Sequence, residues 1–183
     1  MYIFSIDTLY LINLVNMVAI LFVVLIINLM VIVSFVFMFT GAPYVPSKNE
    51  TVEKMVRLAS IKPGQKTLDI GSGDGRVVIA MAKQGAEAHG YDNNPLLVYL
   101  ARRNVRRAKL TEKAFIHWGN LWKIDYSPYD VVTVYMMPYV MGRLYRKLKK
   151  QLKSKAKIIS NAFVFPKVEP SKKEKGVYMY EMS

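Results

Sequence analysis

Residues 68–76 read LDIGSGDGR, and this stretch decides the fold of the chain. The apolar run at 67–70 predicts a buried parallel strand, and the apolar residues at 77–81 predict a helix. Between them, glycine occupies three alternate positions, where the chain turns sharply and a ligand can approach the backbone. Free N–H groups at the start of a helix would face that ligand. The stretch therefore predicts a strand–loop–helix unit that binds a nucleotide-like ligand.

The spacing of the glycines distinguishes between kinds of nucleotide loop. A dinucleotide fingerprint needs its third glycine three positions after the second, where this chain has Arg76. A phosphate loop of the Walker type needs Gly-Lys-Ser/Thr, which does not occur. Residues 87–92 predict a second strand that ends in Asp92, and an acid about 20 residues after such a loop bonds ribose hydroxyls. A glycine-rich surface turn would explain the glycines but not the strand, helix, strand and acid in register.

Composition narrows the classes of protein further. The chain has 183 residues, of which 52% are hydrophobic, with a net charge of +13 and no cysteine. The missing cysteines exclude a disulfide framework and a thiolate zinc site. The positive charge indicates an acidic partner, such as anionic lipid headgroups or nucleic acid, or else a solvated face that aids solubility.

An uncharged segment precedes all of the lysines and arginines. Residues 9–39 are almost continuously apolar, which is more than the roughly 20 residues that a helix needs to cross a bilayer. Asp7 is the only charge before this segment, whereas basic residues begin at Lys48. Because positive charge stays on the cytoplasmic side, we expect a single-pass protein of the plasma (inner) membrane with a cytoplasmic domain. The predicted boundaries are 1–42 for the transmembrane anchor and 43–183 for the domain.

Strand and helix patterns alternate through the rest of the chain. Ser47 and Glu50 predict a capping box before the first helix of the domain. Further strands are predicted at 114–118, 131–135 and 157–163, with helices at 95–108 and 139–152. The tail predicts a closing hairpin with 176–182 as its better strand. This α/β order predicts a Rossmann-like, mostly parallel sheet with a short antiparallel end and helices on both faces, after one N-terminal transmembrane helix.

The acidic-x-Gly-x-Gly-x-Gly spacing resembles motif I of class I S-adenosylmethionine-dependent methyltransferases. Residues 43–182 resemble a small family of membrane-anchored protein-lysine methyltransferases that includes the ATP synthase c-subunit lysine methyltransferase. The resemblance rests on the apolar anchor followed by four motifs and a short strand exit at Pro138. The motifs are YVPS at 44–47, DIGSGDGR at 69–76, GYDNNP at 90–95 and NLWK at 120–123.

The resemblance implies S-adenosyl-L-methionine as the cofactor. The residues that it implies for cofactor binding are Tyr44, Asp69, Gly71, Ser72, Gly73, Asp74, Gly75, Asp92, Asn93, Asn120 and Leu121. In this family pattern Asp69, Gly71, Gly73 and Asp74 hold the methionine part, and Asp92 bonds the ribose. Asn93 lies beside the adenine and Asn120 near its edge. Two positions depart from the pattern, since Asp92 stands where glutamate is common and Asn120 where aspartate is frequent.

Aromatic residues are the catalytic candidates. A target lysine must lose a proton before it attacks the methyl group, and an apolar, cationic neighbourhood lowers its pKa. Aromatic walls accept a methylated ammonium by cation–π contact. The candidates are Tyr44, Trp122, Tyr135 and Tyr139, on segments expected to meet at the carboxyl ends of the strands. His89 is expected to be a packed residue rather than a base.

The sequence lacks the residues that other methyl-transfer reactions require. Enzymes that methylate base amines use Asp/Asn-Pro-Pro-Tyr/Phe after the fourth strand, where this chain reads YMMPY at 135–139. Metal-dependent O-methylation needs a cluster of acids, and no metal site is expected. The sequence therefore predicts a membrane-anchored protein-lysine N-methyltransferase that acts on a membrane protein with an accessible lysine, a rotary ATPase c subunit being a candidate. An anionic membrane surface is a predicted partner, and nucleic acid is not. A methyltransferase for a lipid or quinone headgroup and a non-catalytic membrane-bound adapter remain alternatives.

Overall fold

A computed structural model of the protein describes residues 6–40 and 44–182, with side chains for residues 10–33 and 44–182. The chain divides into two compact units, residues 1–43 and 44–183. The predicted domain boundary, between residues 42 and 43, lies outside the described residues.

The described residues of the first unit form the helix α1 (Ile6–Thr40). Its segment Tyr10–Val33 has a mean hydropathy of 2.9 and no buried residues, so its length and composition suit a membrane span. Asn28, a polar residue in this segment, donates its Nδ2–H to the backbone oxygen of Val24 at 2.8 Å. The helix thus satisfies this donor within its own backbone.

The second unit is built on a seven-stranded sheet with the order β3-β2-β1-β4-β5-β7-β6. The strands are β1 (Lys66–Ile70), β2 (Glu87–Asp92), β3 (Ala114–Trp118), β4 (Val131–Val134), β5 (Lys157–Asn161), β6 (Lys172–Glu174) and β7 (Val177–Glu181). The first five strands are parallel, and β7 runs antiparallel to both β5 and β6. This topology confirms the predicted Rossmann-like sheet with a short antiparallel end.

Helices cover both faces of the sheet, as predicted. The helices are α2 (Asn49–Ala59), α3 (Arg76–Lys83), α4 (Pro95–Arg107) and α5 (Pro138–Gln151), with a 3-10 turn at Leu121–Lys123. Side chains of α2, α3 and α4 share one core, with Met55, Val78 and Ala101 almost fully buried. The other core packs α5 against the sheet through Leu144 and Leu148. The four residues of β4 are all buried, because a central parallel strand is covered on both faces.

The start of α2 differs from the prediction, and the Ser47–Glu50 capping box was wrong. Lys48 occupies the N-cap position without a side-chain cap. The Ser47 hydroxyl instead accepts a hydrogen bond from Asn161 at 3.1 Å, and Glu50 pairs with Lys54 at 2.6 Å. Ser47 therefore bonds to a residue more than a hundred positions away instead of capping the helix. A local sequence pattern does not reveal such a contact.

Candidate functional site

The glycine loop between β1 and α3 has the backbone shape that its sequence predicted. Gly71, Gly73 and Gly75 have φ angles of 72°, 53° and 82°, which residues other than glycine rarely adopt. A Cβ atom on Gly73 would lie 2.8 Å from the ring of Tyr44, and one on Gly71 would lie 2.9 Å from Cε of Met136. All three glycines are therefore favoured by backbone angle, and Gly73 also by the close approach of the Tyr44 ring.

Asp92 fastens this loop to the end of β2. Its Oδ2 accepts the N–H of Gly73 at 2.9 Å, and its Oδ1 accepts the N–H of Asn94 at 2.8 Å. The carboxylate is 8% exposed. Each of its oxygens keeps a further lone pair that can accept a hydroxyl. Asp92 thus shapes the loop and can still bind a ligand.

Ser72 makes a second contact between the loop and β2. A Cβ atom on Gly90 would lie 2.7 Å from Cβ of Ser72, so this strand residue must be glycine for the loop to approach. The Ser72 side chain is buried, and within the described residues its hydroxyl has no hydrogen-bond partner. Its side chain therefore packs against the sheet, and it is the backbone of Ser72 that belongs to the loop.

Asp69, at the end of β1, is a buried carboxyl group with an altered pKa. It is 5% exposed, and its Oδ1 accepts the hydroxyl of Thr133 at 2.6 Å. Burial raises its pKa to about 7, aided by the charges of Asp92 and Asp74 and opposed by the Thr133 hydrogen bond. A cationic group placed beside it would draw it into the ionised form.

Arg76 connects the loop to the segment at 44–47. Its Nε and Nη2 donate to the carboxylate of Asp74 at 3.0 and 2.7 Å, and its Nη1 donates to the backbone oxygen of Ser47 at 2.6 Å. Although burial opposes ionisation, these contacts hold the pKa of Asp74 below its usual value. Burial and the charge of Asp74 raise the pKa of Tyr44, which lies over Gly73. Arg76 had no role in the sequence prediction, although it stands where a dinucleotide loop has its third glycine.

The residues predicted near an adenine follow β2 and β3. The Oδ1 of Asn120 accepts the N–H of Trp122 at 2.9 Å and so caps the 3-10 turn. The backbone oxygen of Asn93 accepts the indole N–H of Trp118 at 3.0 Å, and that of Leu121 accepts the Tyr126 hydroxyl at 2.9 Å. Hydrogen bonds among these residues therefore fix the two loops at this edge of the sheet.

The four aromatic candidates have different surroundings. Tyr44 lies on the glycine loop, and Tyr135 stacks at an offset on Phe163, with ring centroids 6.2 Å apart. The guanidinium of Arg143 lies 4.1 Å from the ring centre of Trp122. Tyr139 is 79% exposed at the start of α5. These contacts place Tyr44 on the glycine loop and pair Tyr135 with Phe163 at the ends of β4 and β5.

Phe163 was missed by sequence reasoning, and its position depends on a strained turn. Ala162 has a φ angle of 65°, which costs a non-glycine residue about 1–3 kcal/mol. The turn ends β5 at Asn161, two residues earlier than predicted, and the amide of Asn161 reaches the hydroxyl of Ser47. The only sequence signal was the location of Phe163 at the carboxyl end of a predicted strand.

The two histidines form a packed pair away from the glycine loop. The Nδ1 of His89 lies 2.9 Å from Nε2 of His117, and its Nε2 lies 2.8 Å from Glu87. His89 also stacks on Phe115, which confirms the expectation of a packed residue. Within the described residues, no group of three or more metal-binding side chains occurs.

Comparison with known proteins extends these observations to most of the chain. Residues 69–172 match the family model of the ANTKMT methyltransferase domain. The chain is 39% identical over 128 residues to the ATP synthase c-subunit lysine N-methyltransferase of Mus musculus, covering 70% of this chain and 51% of that one. It is 31% identical over 148 residues to a protein-lysine N-methyltransferase of Saccharolobus islandicus, covering 75% of this chain and 92% of that one.

A solved structure shares the fold at similar identity. It is the RNA methyltransferase from Salinibacter ruber in complex with S-adenosyl-L-homocysteine, with a TM-score of 0.73 and 31% identity. The match covers 75% of this chain and 94% of that structure. The chain spans about half the length of the mouse relative. The similarity therefore concerns the domain that the two proteins share. The motif I loop is present, and the family model matches more than half of this chain. The chain therefore belongs to the ANTKMT methyltransferase domain family.

Proposed function

We propose that this protein is a membrane-anchored, S-adenosylmethionine-dependent protein-lysine N-methyltransferase. The observation that carries the proposal is the glycine loop hydrogen-bonded to Asp92, in a chain whose family relatives include lysine methyltransferases. Their names describe those proteins, and the same activity in this chain is our proposal.

The residues around the loop fit the cofactor. Gly71 and Gly73 carry no side chain of their own to keep a ligand away from the backbone, and the free lone pairs of Asp92 suit ribose hydroxyls. Asp69, with a pKa of about 7, suits the ammonium of the methionine part, which would favour its ionised form. The cofactor supplies an electrophilic methyl group on a sulfonium. Met136 contacts the loop only with its terminal methyl group, whereas Tyr44 lies against Gly73 with one edge of its ring, and both side chains would shift to admit the cofactor.

The aromatic residues would receive the target lysine. A lysine ammonium must become a neutral amine, and an apolar environment lowers its pKa. Tyr135 and Phe163 offer two partly buried rings at the ends of adjacent strands. Tyr44, from the segment before α2, places a third ring over the glycine loop. Their rings would orient the amine and accept the methylated product by cation–π contact.

The proposed substrate is a membrane protein with a lysine near the lipid headgroups. The segment Tyr10–Val33 is long and apolar enough to span a bilayer. The charges that follow it favour a cytoplasmic domain at the plasma (inner) membrane. A domain tethered in this way reaches targets close to the membrane, and a c subunit of a rotary ATPase fits that requirement.

A labelling experiment tests the proposal. Membranes from cells with and without this protein are incubated with S-adenosylmethionine that carries a labelled methyl group. The label is then partitioned between protein, lipid and RNA, with the Gly73→Val variant as control. We expect protein-dependent label on a lysine of a membrane protein, located by mass spectrometry. Label that appears only in lipid would support the headgroup alternative, label only in RNA would support a nucleic-acid substrate, and no label in any fraction would support the adapter.

A further inference from the structure

We propose that the carboxyl edge of the sheet is a docking surface for an anionic lipid bilayer. This edge surface consists of Leu96, Tyr99, Trp118, Met137 and Tyr139. The proposal deepens the proposed function and rests on its membrane anchorage, because it states which side of the domain meets the membrane.

Exposed apolar side chains are concentrated at this edge. The members of the edge surface are 67%, 61%, 68%, 38% and 79% exposed, in the order given. The other large apolar side chains that the structure describes as exposed in residues 44–182 are Tyr44, Val45 and Val164. Tyr44 lies on the glycine loop, and Val164 follows the turn after β5. Large exposed apolar groups gathered on one side of a domain indicate an interaction surface.

The fold explains why these residues share an edge. Parallel strands end at the same side of a sheet, and α4 follows β2 while α5 follows β4. Leu96 and Tyr99 lie in the first turns of α4, and Tyr139 lies in the first turn of α5. The two helices cover opposite faces of the sheet, so the edge surface flanks the glycine loop on both sides. The Trp118 indole is held across the end of β2 by its hydrogen bond to Asn93.

Arginines and lysines follow the apolar residues on both helices. Arg103 is seven residues after Leu96, which is about 10 Å along the helix, and Arg143 is four residues after Tyr139, about 6 Å. The further cations are Arg102, Arg106 and Arg107 on α4 and Arg146, Lys147, Lys149 and Lys150 on α5. Neither helix contains an acidic residue. Apolar side chains of interfacial helices enter a bilayer by roughly 5–10 Å. Cations that lie about 6 to 10 Å further along each helix would then be level with the lipid phosphates.

A bilayer fits these features better than a soluble polyanion does. Tryptophan and tyrosine are enriched where membrane meets water, and arginine binds lipid phosphates. A soluble nucleic acid would match the cations but not the exposed Leu96 and Met137. Docking in this way directs the glycine loop towards the headgroups, so that the accessible lysine would be one close to the membrane surface.

The tryptophans of the protein provide a direct measurement. The chain has two, Trp118 and Trp122, so a Trp122→Phe variant leaves Trp118 as the sole reporter. The full-length variant is reconstituted into vesicles of phosphatidylcholine alone or with phosphatidylglycerol, in each case with bromine on the upper acyl chain. We expect the Trp118 emission to shift to the blue and to be quenched in the anionic vesicles. High salt should reduce the quenching, because it screens the attraction between arginines and lipid.

Charge-reversal variants distinguish docking from simple proximity to the tether. In the Trp122→Phe background, Arg103→Glu with Arg106→Glu should lower the equilibrium constant for docking, obtained from the quenching, by at least about fivefold for each arginine. The matched control is Lys172→Glu with Lys173→Glu on β6, at the other end of the sheet, which should leave quenching unchanged. Equal losses in the two double variants would contradict the edge surface.

Cofactor affinity of the wild-type protein, which keeps Trp122, is measured in the same kinds of vesicle and separates the two proposals. Unquenched Trp118 in a protein that binds S-adenosylmethionine overturns the docking surface and leaves the proposed function standing. Failure to bind the cofactor in any vesicle overturns the proposed function itself.

Discussion

Replacing Asp69 by asparagine should remove a pH dependence from the stability of the cofactor-free protein. In the folded state burial raises the pKa of Asp69 to about 7, whereas an aspartate in an unfolded chain has a pKa near 3.9. Three pKa units correspond to about 4 kcal/mol. Because the folded pKa is raised, the stabilising protonated form is fully present below the unfolded value and is lost as the pH rises to about 7. Wild type should therefore lose up to about 4 kcal/mol of unfolding free energy relative to Asp69→Asn between pH 4 and pH 8.

Urea unfolding of the full-length protein in detergent, followed from pH 4 to pH 8, measures this difference. Asparagine retains the oxygen that accepts the Thr133 hydroxyl, so the two proteins differ mainly in charge. Thr133→Val is the matched control, since it removes a hydrogen bond that favours the ionised carboxylate and should move the loss to higher pH. The same Asp69→Asn variant should bind S-adenosylmethionine more weakly at pH 8. If the unfolding free energies of wild type and Asp69→Asn stay parallel across this range, the reasoning about the buried carboxyl is refuted.

Three further predictions concern the loop and the histidine pair. Gly73→Val should abolish cofactor binding in calorimetry because its side chain would collide with Tyr44 and fill the ligand's place, whereas Gly142→Ala, with only an ordinary contact at 3.7 Å, should bind normally. Burial and the charge of His89 lower the pKa of His117, so wild type should lose stability relative to a His117→Gln variant as the pH drops below about 6.5; parallel pH profiles of the two proteins would contradict this. Arg76→Lys cannot keep the forked contacts to Asp74 and Ser47, and thermal unfolding should report a loss of about 2 kcal/mol.

The local pattern of the chain was sufficient to predict the sheet and its loop. Alternating apolar runs and caps placed the five parallel strands and the helices between them within one or two residues. The helix predicted from residue 95 begins there as α4, and the Asn94 side chain accepts from the N–H groups of Leu96 and Leu97. These features depend on residues close in sequence, and a right-handed crossover of strand, helix and strand leaves few alternatives for the topology.

The partners of the site residues were decided by tertiary structure alone. Phe163 meets Tyr135 because β4 and β5 are neighbours in the sheet, and Ser47 leaves its capping role because Asn161 approaches from β5. The pKa of Asp69 depends on its burial, the Thr133 hydroxyl and the charges of Asp92 and Asp74, of which only Asp74 belongs to its own motif. The sequence by itself determined which segments form strands, helices and the glycine loop, since these need only near neighbours. Contacts between residues 25 to more than 100 positions apart depend on how the segments pack, and only the folded chain brings them together.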